Sequence, residues 1–511
     1  MTSTPGPING TASANNSEVL DCRLFIGGKW QAAEGGRTFE SYNPANGQVL
    51  GHVAKGTAGD VNRAVAAARA AYDQWRLYPA PRRGELLFKV GALLAERKEQ
   101  LARLMTQEMG KVLTEARGDV QEGIDMAFYM GGEGRRQFGM TSPSEMPNKF
   151  QMAVRDPVGV VAAITPWNFP MAIPTWKIFP ALVCGNTIVF KPAPDTPLVA
   201  AELVKIFEEA GLPAGVLNFV TGSDAEVGET LLNHPDIDIY SFTGSTETGK
   251  HIYAQTASRL RRVSLELGGK NAIMVMEDAD LDLAVDGIVW SAFGTTGQRC
   301  TACSRIIVQR SVEKALTAKL LARVEQLRLG DGLVDTTDVG PLINLKQRDN
   351  VHKYVQIGQQ EGAQLLIGGN VPAMTDDLAK GMFYRPTLFG GVRPDMRIAQ
   401  EEIFGPVGAI IPVDSFEEAI KVNNNTRYGL SSSIYTQDVN RAFLAMREIT
   451  TGIVYVNAGT IGAEVHLPFG GTRGTGNGHR EAAWAAIDFF TEWKSIYIDF
   501  SGKLQRAQID V

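Results

Sequence analysis

The chain has 511 residues, enough for more than one folding unit, and its 44% hydrophobic and 21% charged content is that of a globular protein. A formal net charge of −6 argues against nucleic acid as a partner, and no apolar run reaches the ~20 residues that cross a bilayer, so no membrane partner is expected. Four cysteines, Cys22, Cys184, Cys300 and Cys303, are too few and too scattered for a disulfide scaffold, which points to a reducing, cytoplasmic setting.

Residues 1–19 are rich in Ser, Thr, Asn, Gly and Pro, without Arg or an apolar centre. They are expected to form a disordered tail rather than a leader. Asp60–Tyr72 and Arg82–Glu108 carry helical periodicity, and Lys149–Arg155 alternates polar and apolar, which predicts an edge strand. From residue 159 short β-branched runs alternate with helical stretches. Strands are expected at Gly159–Thr165, Asn186–Lys191, Val216–Thr221, Ile237–Thr243 and Val263–Glu266. Helices are expected at Pro174–Cys184, Leu198–Ala210, Ala225–Asn233 and Thr246–Ser258. This rhythm predicts a parallel sheet with helices on both faces.

The rhythm restarts after Gly268-Gly269, with a strand at Asn271–Met276, a helix at Leu281–Phe293, a strand at Ser304–Gln309 and a helix from Glu313. The double glycine thus marks a join between two α/β units, and clefts at such joins are where ligands bind. Near the end, Phe490–Phe500 alternates through Trp493, Ile496 and Ile498.

Three runs carry chemistry. Cys300 lies in Phe293-Gly-Thr-Thr-Gly-Gln-Arg-Cys-Thr-Ala-Cys-Ser-Arg305, where Gly297 permits a sharp turn. A thiol there is either a nucleophile or an inert buried sulfur. Glu266, in Val263-Ser-Leu-Glu-Leu-Gly-Gly-Lys270, ends a strand beside glycines; partial burial would raise its pKa and suit it to act as a general base. Asn168, in Pro166-Trp-Asn-Phe-Pro170, offers an uncharged donor to an oxyanion, or alternatively a turn. Cys303 completes a lone C-x-x-C with Cys300, weak evidence for zinc; no metal is expected, and Cys303 reads as a bystander. Phe242-Thr-Gly-Ser-Thr-Glu-Thr-Gly249 follows a strand and opens a helix, as a phosphate seat or an ordinary glycine turn would.

Together with Glu401-Glu-Ile-Phe-Gly-Pro-Val407, these runs resemble the aldehyde dehydrogenase superfamily over residues 22–500. The resemblance implies a Rossmann-like cofactor domain, a second α/β catalytic domain and a small β oligomerisation extension. It divides the chain into residues 20–137 plus 158–267 for NAD(P), 268–482 for catalysis, 138–157 plus 483–500 for an oligomerisation sheet, and a tail at 501–511. It assigns catalysis to Cys300, Glu266 and Asn168. To the cofactor it assigns Ile164, Thr165, Trp167, Lys191 (on the adenosine ribose), Gly244, Ser245 (on the pyrophosphate), Leu267, Glu402 (on the nicotinamide ribose) and Phe404. Phe169, Trp176 and Phe469 would wall an aldehyde passage, and Arg299 would meet a substrate carboxylate. The implied reaction oxidises an aldehyde to an acid with NAD(P)+ through a Cys300 thioester that Glu266-activated water releases, in a homodimer or homotetramer. The run Leu467-Pro-Phe-Gly-Gly-Thr-Arg-Gly-Thr-Gly-Asn-Gly-His-Arg-Glu481 is similar to that of the 2-oxoglutarate semialdehyde dehydrogenase branch.

One position departs from the pattern. Many NAD-preferring relatives carry glutamate three residues after the ribose lysine; here Pro194 stands there. The loss removes one acceptor for the ribose and one repulsion against a 2′-phosphate, so NADP is expected to be tolerated beside NAD. Two other classes stay open: a CoA-acylating enzyme, which Glu266 argues against, and a catalytically silent binding protein, which the retained Cys300 and nucleotide runs argue against.

Overall fold

The computed structural model describes residues 19–506, 508 and 509; of the expected N-terminal tail only Val19 is among them. Two seven-stranded sheets and two three-stranded ones organise the described residues. In the first large sheet the strands Arg262–Glu266, Ile239–Thr243, Val160–Ile164, Thr187–Lys191 and Leu217–Phe219 lie side by side in that order, all parallel. Leu24–Ile26 and Lys29–Gln31 close its far edge antiparallel. The inner strands are mostly apolar and almost wholly buried because helices cover both faces. Chain order reverses between Val160–Ile164 and Ile239–Thr243, and the crevice beyond the carboxyl ends of such a pair is where open α/β sheets bind ligands.

The second large sheet runs Gln364–Ile367, Thr387–Gly390, Val407–Val413, Cys303–Gln309, Asn271–Val275, Ser431–Tyr435, Ile453–Val456, parallel except for its first pair. Only residues 267–270 separate the end of the Arg262–Glu266 strand from the start of Asn271–Val275. The carboxyl edge of one sheet therefore faces the amino edge of the other. Glu266 ends the first; Asn271 and, through the loop before Cys303, Cys300 begin the second.

The expected strands and helices after residue 159 form within one or two residues of their anticipated ends, with two exceptions. The helix expected from about Glu313 starts three residues earlier, at Arg310. The Ala225–Asn233 stretch begins as a wider π-type turn, Asp224–Gly228, before the short helix Glu229–Asn233. Two further expectations are corrected. Arg82–Glu108 is two helices, Ala80–Glu96 and Lys98–Met109, broken at Arg97, whose φ/ψ of −99°/9° leaves the helical region. The Lys149–Arg155 segment is no edge: Lys149–Pro157 is the middle strand of an antiparallel sheet, between Thr491–Asp499 and Met140–Pro143.

Candidate active site

The helix Leu281–Phe293 stops at Gly294, and the loop from there to Cys303 takes backbone shapes that L residues seldom adopt. Thr295 and Thr296 have φ of 50° and 57°, each a strain of about 1–3 kcal/mol for a β-branched residue. Glu115 offsets it: Thr295 N donates to both its carboxylate oxygens at 3.0 and 2.9 Å, and the Thr295 hydroxyl to one of them at 3.2 Å. Thr296 is held through its hydroxyl to Gly340 O at 3.0 Å. At Gly297 φ is +68°, and a Cβ would lie 2.2 Å from Gly405 O, so no other residue fits. Gln298 accepts from Ile343 N at 3.0 Å and donates to Thr295 O at 3.2 Å.

This scaffold leaves Cys300 half-buried, while the other three cysteines are buried. Burial, with the Glu266 and Glu402 charges beside it, pushes the Cys300 thiol up to about 12. It rests protonated and needs a base to become a nucleophile. Cys303 is different: it starts a central strand, packs among Ile273 and Ile306, and directs its sulfur to Arg305 O at 3.4 Å.

Cys300 and Glu266 line one cavity of about 260 Å³. Both Glu266 carboxylate oxygens are buried without a hydrogen-bond partner. Burial, then the nearby Glu481 charge, holds this carboxyl well above its ordinary range; Lys177 and Arg480 act in the opposite direction. The expected partial burial is thus an understatement, since Glu266 is 4% exposed. Asn168 is buried behind the loop, its Nδ2 donating to Gln298 O at 3.0 Å and its carbonyl accepting from Lys111 Nζ at 2.7 Å. An amide nitrogen carries two hydrogens, so the bond to Gln298 O leaves one uncommitted; Asn168 is not among the residues that line the cavity.

The four residues expected to meet substrate all line this cavity: Phe169, Trp176, Arg299 and Phe469. Trp176 and Phe469 pack edge to face at 4.8 Å. Arg299 is not free, since it donates to Glu115 Oε1 at 3.0 Å and to the Thr295 hydroxyl at 2.9 Å.

A second cavity, of about 370 Å³, opens at the carboxyl ends of the first sheet. Ile164, Thr165, Trp167, Lys191, Gly244 and Ser245 line it, and Thr243 lines both cavities. The hydroxyls of Thr165 and Thr243 are buried without partners, as in a site shaped for a polar ligand. The Ser245 hydroxyl caps the twelve-residue helix Thr246–Ala257 by accepting from Thr248 N at 3.2 Å, and both residues line the cavity, so the helix starts at its wall. These residues fit a dinucleotide. Leu267 lies on the wall of the first cavity. Glu402 and Phe404 border a small recess with Gly269 and Gly297. Burial pushes Glu402 up to about 7 while it accepts from Gly269 N at 3.0 Å. Phe404 packs edge to face on Trp167 at 5.4 Å.

Comparison with known proteins bears on this geometry. The model of the aldehyde dehydrogenase family matches residues 30–496. The chain belongs to the aldehyde dehydrogenase family. Among curated relatives, the alpha-ketoglutaric semialdehyde dehydrogenase of Bacillus subtilis is 43% identical over 475 residues, 93% of this chain and 97% of that protein. The 2,5-dioxopentanoate dehydrogenase of Saccharolobus solfataricus is 40% identical over 473 residues, 92% of this chain and 98% of that one. Among solved structures, betaine aldehyde dehydrogenase from Staphylococcus aureus in complex with NAD+ superposes with a TM-score of 0.92 at 35% identity, covering 94% of this chain and 96% of that chain.

In this aldehyde dehydrogenase the residues that sequence reasoning missed are charged and buried. Glu115 and Asp119, four apart on the helix Leu113–Glu133, face the site; Asp119 takes Lys111 Nζ at 2.9 Å. Lys177 pairs with Glu481, 304 residues away, and donates to Ser241 Oγ at 3.2 Å. A stripe of acids at helical spacing was the available signal for the first pair. The second had none. Among the described residues, no group of His, Cys, Asp and Glu could hold a metal, and no helix is long and apolar enough to cross a membrane.

Proposed function

We propose that this aldehyde dehydrogenase oxidises a short aldehyde bearing a carboxylate at its other end, of the 2,5-dioxopentanoate type, with NAD(P)+ as oxidant. The observation that carries the reading is one cavity shared by a half-exposed thiol, a buried unpartnered carboxyl and an arginine. Glu266 takes the thiol proton, directly or through water, and the Cys300 sulfur bonds to the aldehyde carbon. The remaining hydrogen of Asn168 Nδ2 and the Cys300 backbone amide hold the oxyanion. When bound, the nicotinamide supplies the two-electron oxidation by accepting hydride. That leaves a thioester on Cys300. Glu266 passes the thiol proton to solvent, then deprotonates water, which attacks the thioester; the departing Cys300 sulfur takes that proton and the acid is freed.

Arg299 keeps its Nη1 edge for the substrate carboxylate while Thr295 and Glu115 fix the rest of the guanidinium. The names of the two semialdehyde-oxidising relatives agree with this choice. We further assign residues 20–137 with 158–267 to cofactor binding and 268–482 to catalysis. Residues 138–157 with 483–500 are assigned to contact between copies, because the strand Thr491–Asp499 presents Trp493, Tyr497 and Ile498 to solvent. The four free cysteines, three of them buried, agree with a reducing cytoplasm.

Steady-state kinetics with 2,5-dioxopentanoate, betaine aldehyde and propanal test the substrate. A charge-assisted bond to Arg299 should favour the first by about tenfold to a hundredfold in kcat/KM. Equal or better use of propanal would reject the carboxylate reading. Cys300→Ala should abolish oxidation of every aldehyde and Cys303→Ala should not; the reverse would reject the nucleophile.

A further inference from the structure

Lys191 ends its strand with its side chain 2% exposed, and its ammonium donates to Asp224 Oδ1 at 2.6 Å. Asp224 opens the π-type turn that follows the neighbouring strand Leu217–Phe219, and its side chain is 82% exposed. Both line the cavity at the carboxyl ends of the first sheet, as does Pro194. Proline there removes a carboxylate from the lysine's own loop, yet the lysine still faces one, supplied from the next strand.

We propose that Asp224 is the residue that selects NAD over NADP, replacing the carboxylate missing at position 194. This inference rests on the reading of that cavity as the dinucleotide site. A ribose diol presents two hydroxyl donors, which a carboxylate accepts. A 2′-phosphate lacks the donor and brings a charge of about −1.5 to −2. It would meet the Asp224 charge and compete with it for Lys191. The other charged groups on this wall do not reverse the balance. Asp195 is a further acid, held by Asn344 Nδ2 at 2.9 Å, and Glu229 is a third, hydrogen-bonded to His251 Nε2 at 2.8 Å. Lys346 is the cation that a 2′-phosphate would engage once Asp224 is neutral.

The test is calorimetric titration of NAD+ and of NADP+ into the purified full-length chain without aldehyde, backed by kcat/KM for each. Wild type should bind NAD+ more tightly. In Asp224→Asn the preference, as a ratio of dissociation constants, should fall about tenfold through gain of NADP+ binding. Adding Pro194→Glu to that variant should raise the ratio again. A ratio within about twofold of wild type in Asp224→Asn, with NAD+ still bound, overturns the assignment of Asp224 alone. Binding of neither dinucleotide by wild type overturns the cofactor reading and this inference with it.

Discussion

Glu266 and Cys300 show how one environment sets two protonation states. The same burial that keeps the thiol protonated also keeps the carboxyl neutral to higher pH than an exposed glutamate. A base must be ionised to act, so kcat should rise with pH through the elevated Glu266 value and fall away on the acid side. Glu266→Gln should lower kcat by about 10²–10⁴ and remove that limb; a pH–rate profile of both proteins checks it. Asn168→Ala removes an oxyanion donor and should lower kcat by about 10²–10³, with a smaller change in the binding of aldehyde. The meeting of Cys300 and Glu266 on one cavity was legible in the sequence because each sits in a short run whose neighbours shape its backbone. The ion pairs behind them were not. Lys177 and Glu481 meet across 304 residues, and nothing in a linear pattern says that two charges will be buried together.

At the scale of elements, the catalytic loop is held by its anchors. Gly297→Ala would force a side chain into a left-handed turn, at about 1–2 kcal/mol, and into Gly405 O. The loop must then move, so the variant should fold with a lowered Tm and lose most of its activity. Circular dichroism melts alongside kinetics separate the two effects. Gly269 is the matching case on the other side of the join, since a Cβ there would approach Cys300 O to 2.3 Å. The βαβ elements that carry these loops were readable because strands covered on both faces are short runs rich in β-branched and other apolar residues. The break at Arg97 was not readable, because neither proline nor glycine marks it. The central place of Lys149–Pro157 escaped too, for its partner Thr491–Asp499 lies over 300 residues on and only the folded chain shows which side is covered.

Across the whole molecule, a buried acid makes stability depend on pH. Glu108 is fully buried, takes Leu198 N, Val199 N and the Ser41 hydroxyl, and is pushed by burial from 4.5 to about 7. In that window the folded chain holds a proton that the unfolded chain has released, so this group's contribution to stability is present below pH 4.5 and falls as pH rises to 7. The loss is about 3 kcal/mol. Glu108→Gln removes the titration, so its stability relative to wild type should improve between pH 4.5 and 7; urea melts across that range measure it. A flat difference would show that Glu108 titrates normally.

The account as a whole requires an acyl group on one particular sulfur. Wild-type enzyme can be mixed with aldehyde and NAD+, quenched in acid during turnover and mapped by peptide mass spectrometry. The peptide holding both cysteines should gain the acyl mass, with fragmentation placing it on Cys300. NADH formation with no adduct, or with the added mass on Cys303, would contradict the mechanism.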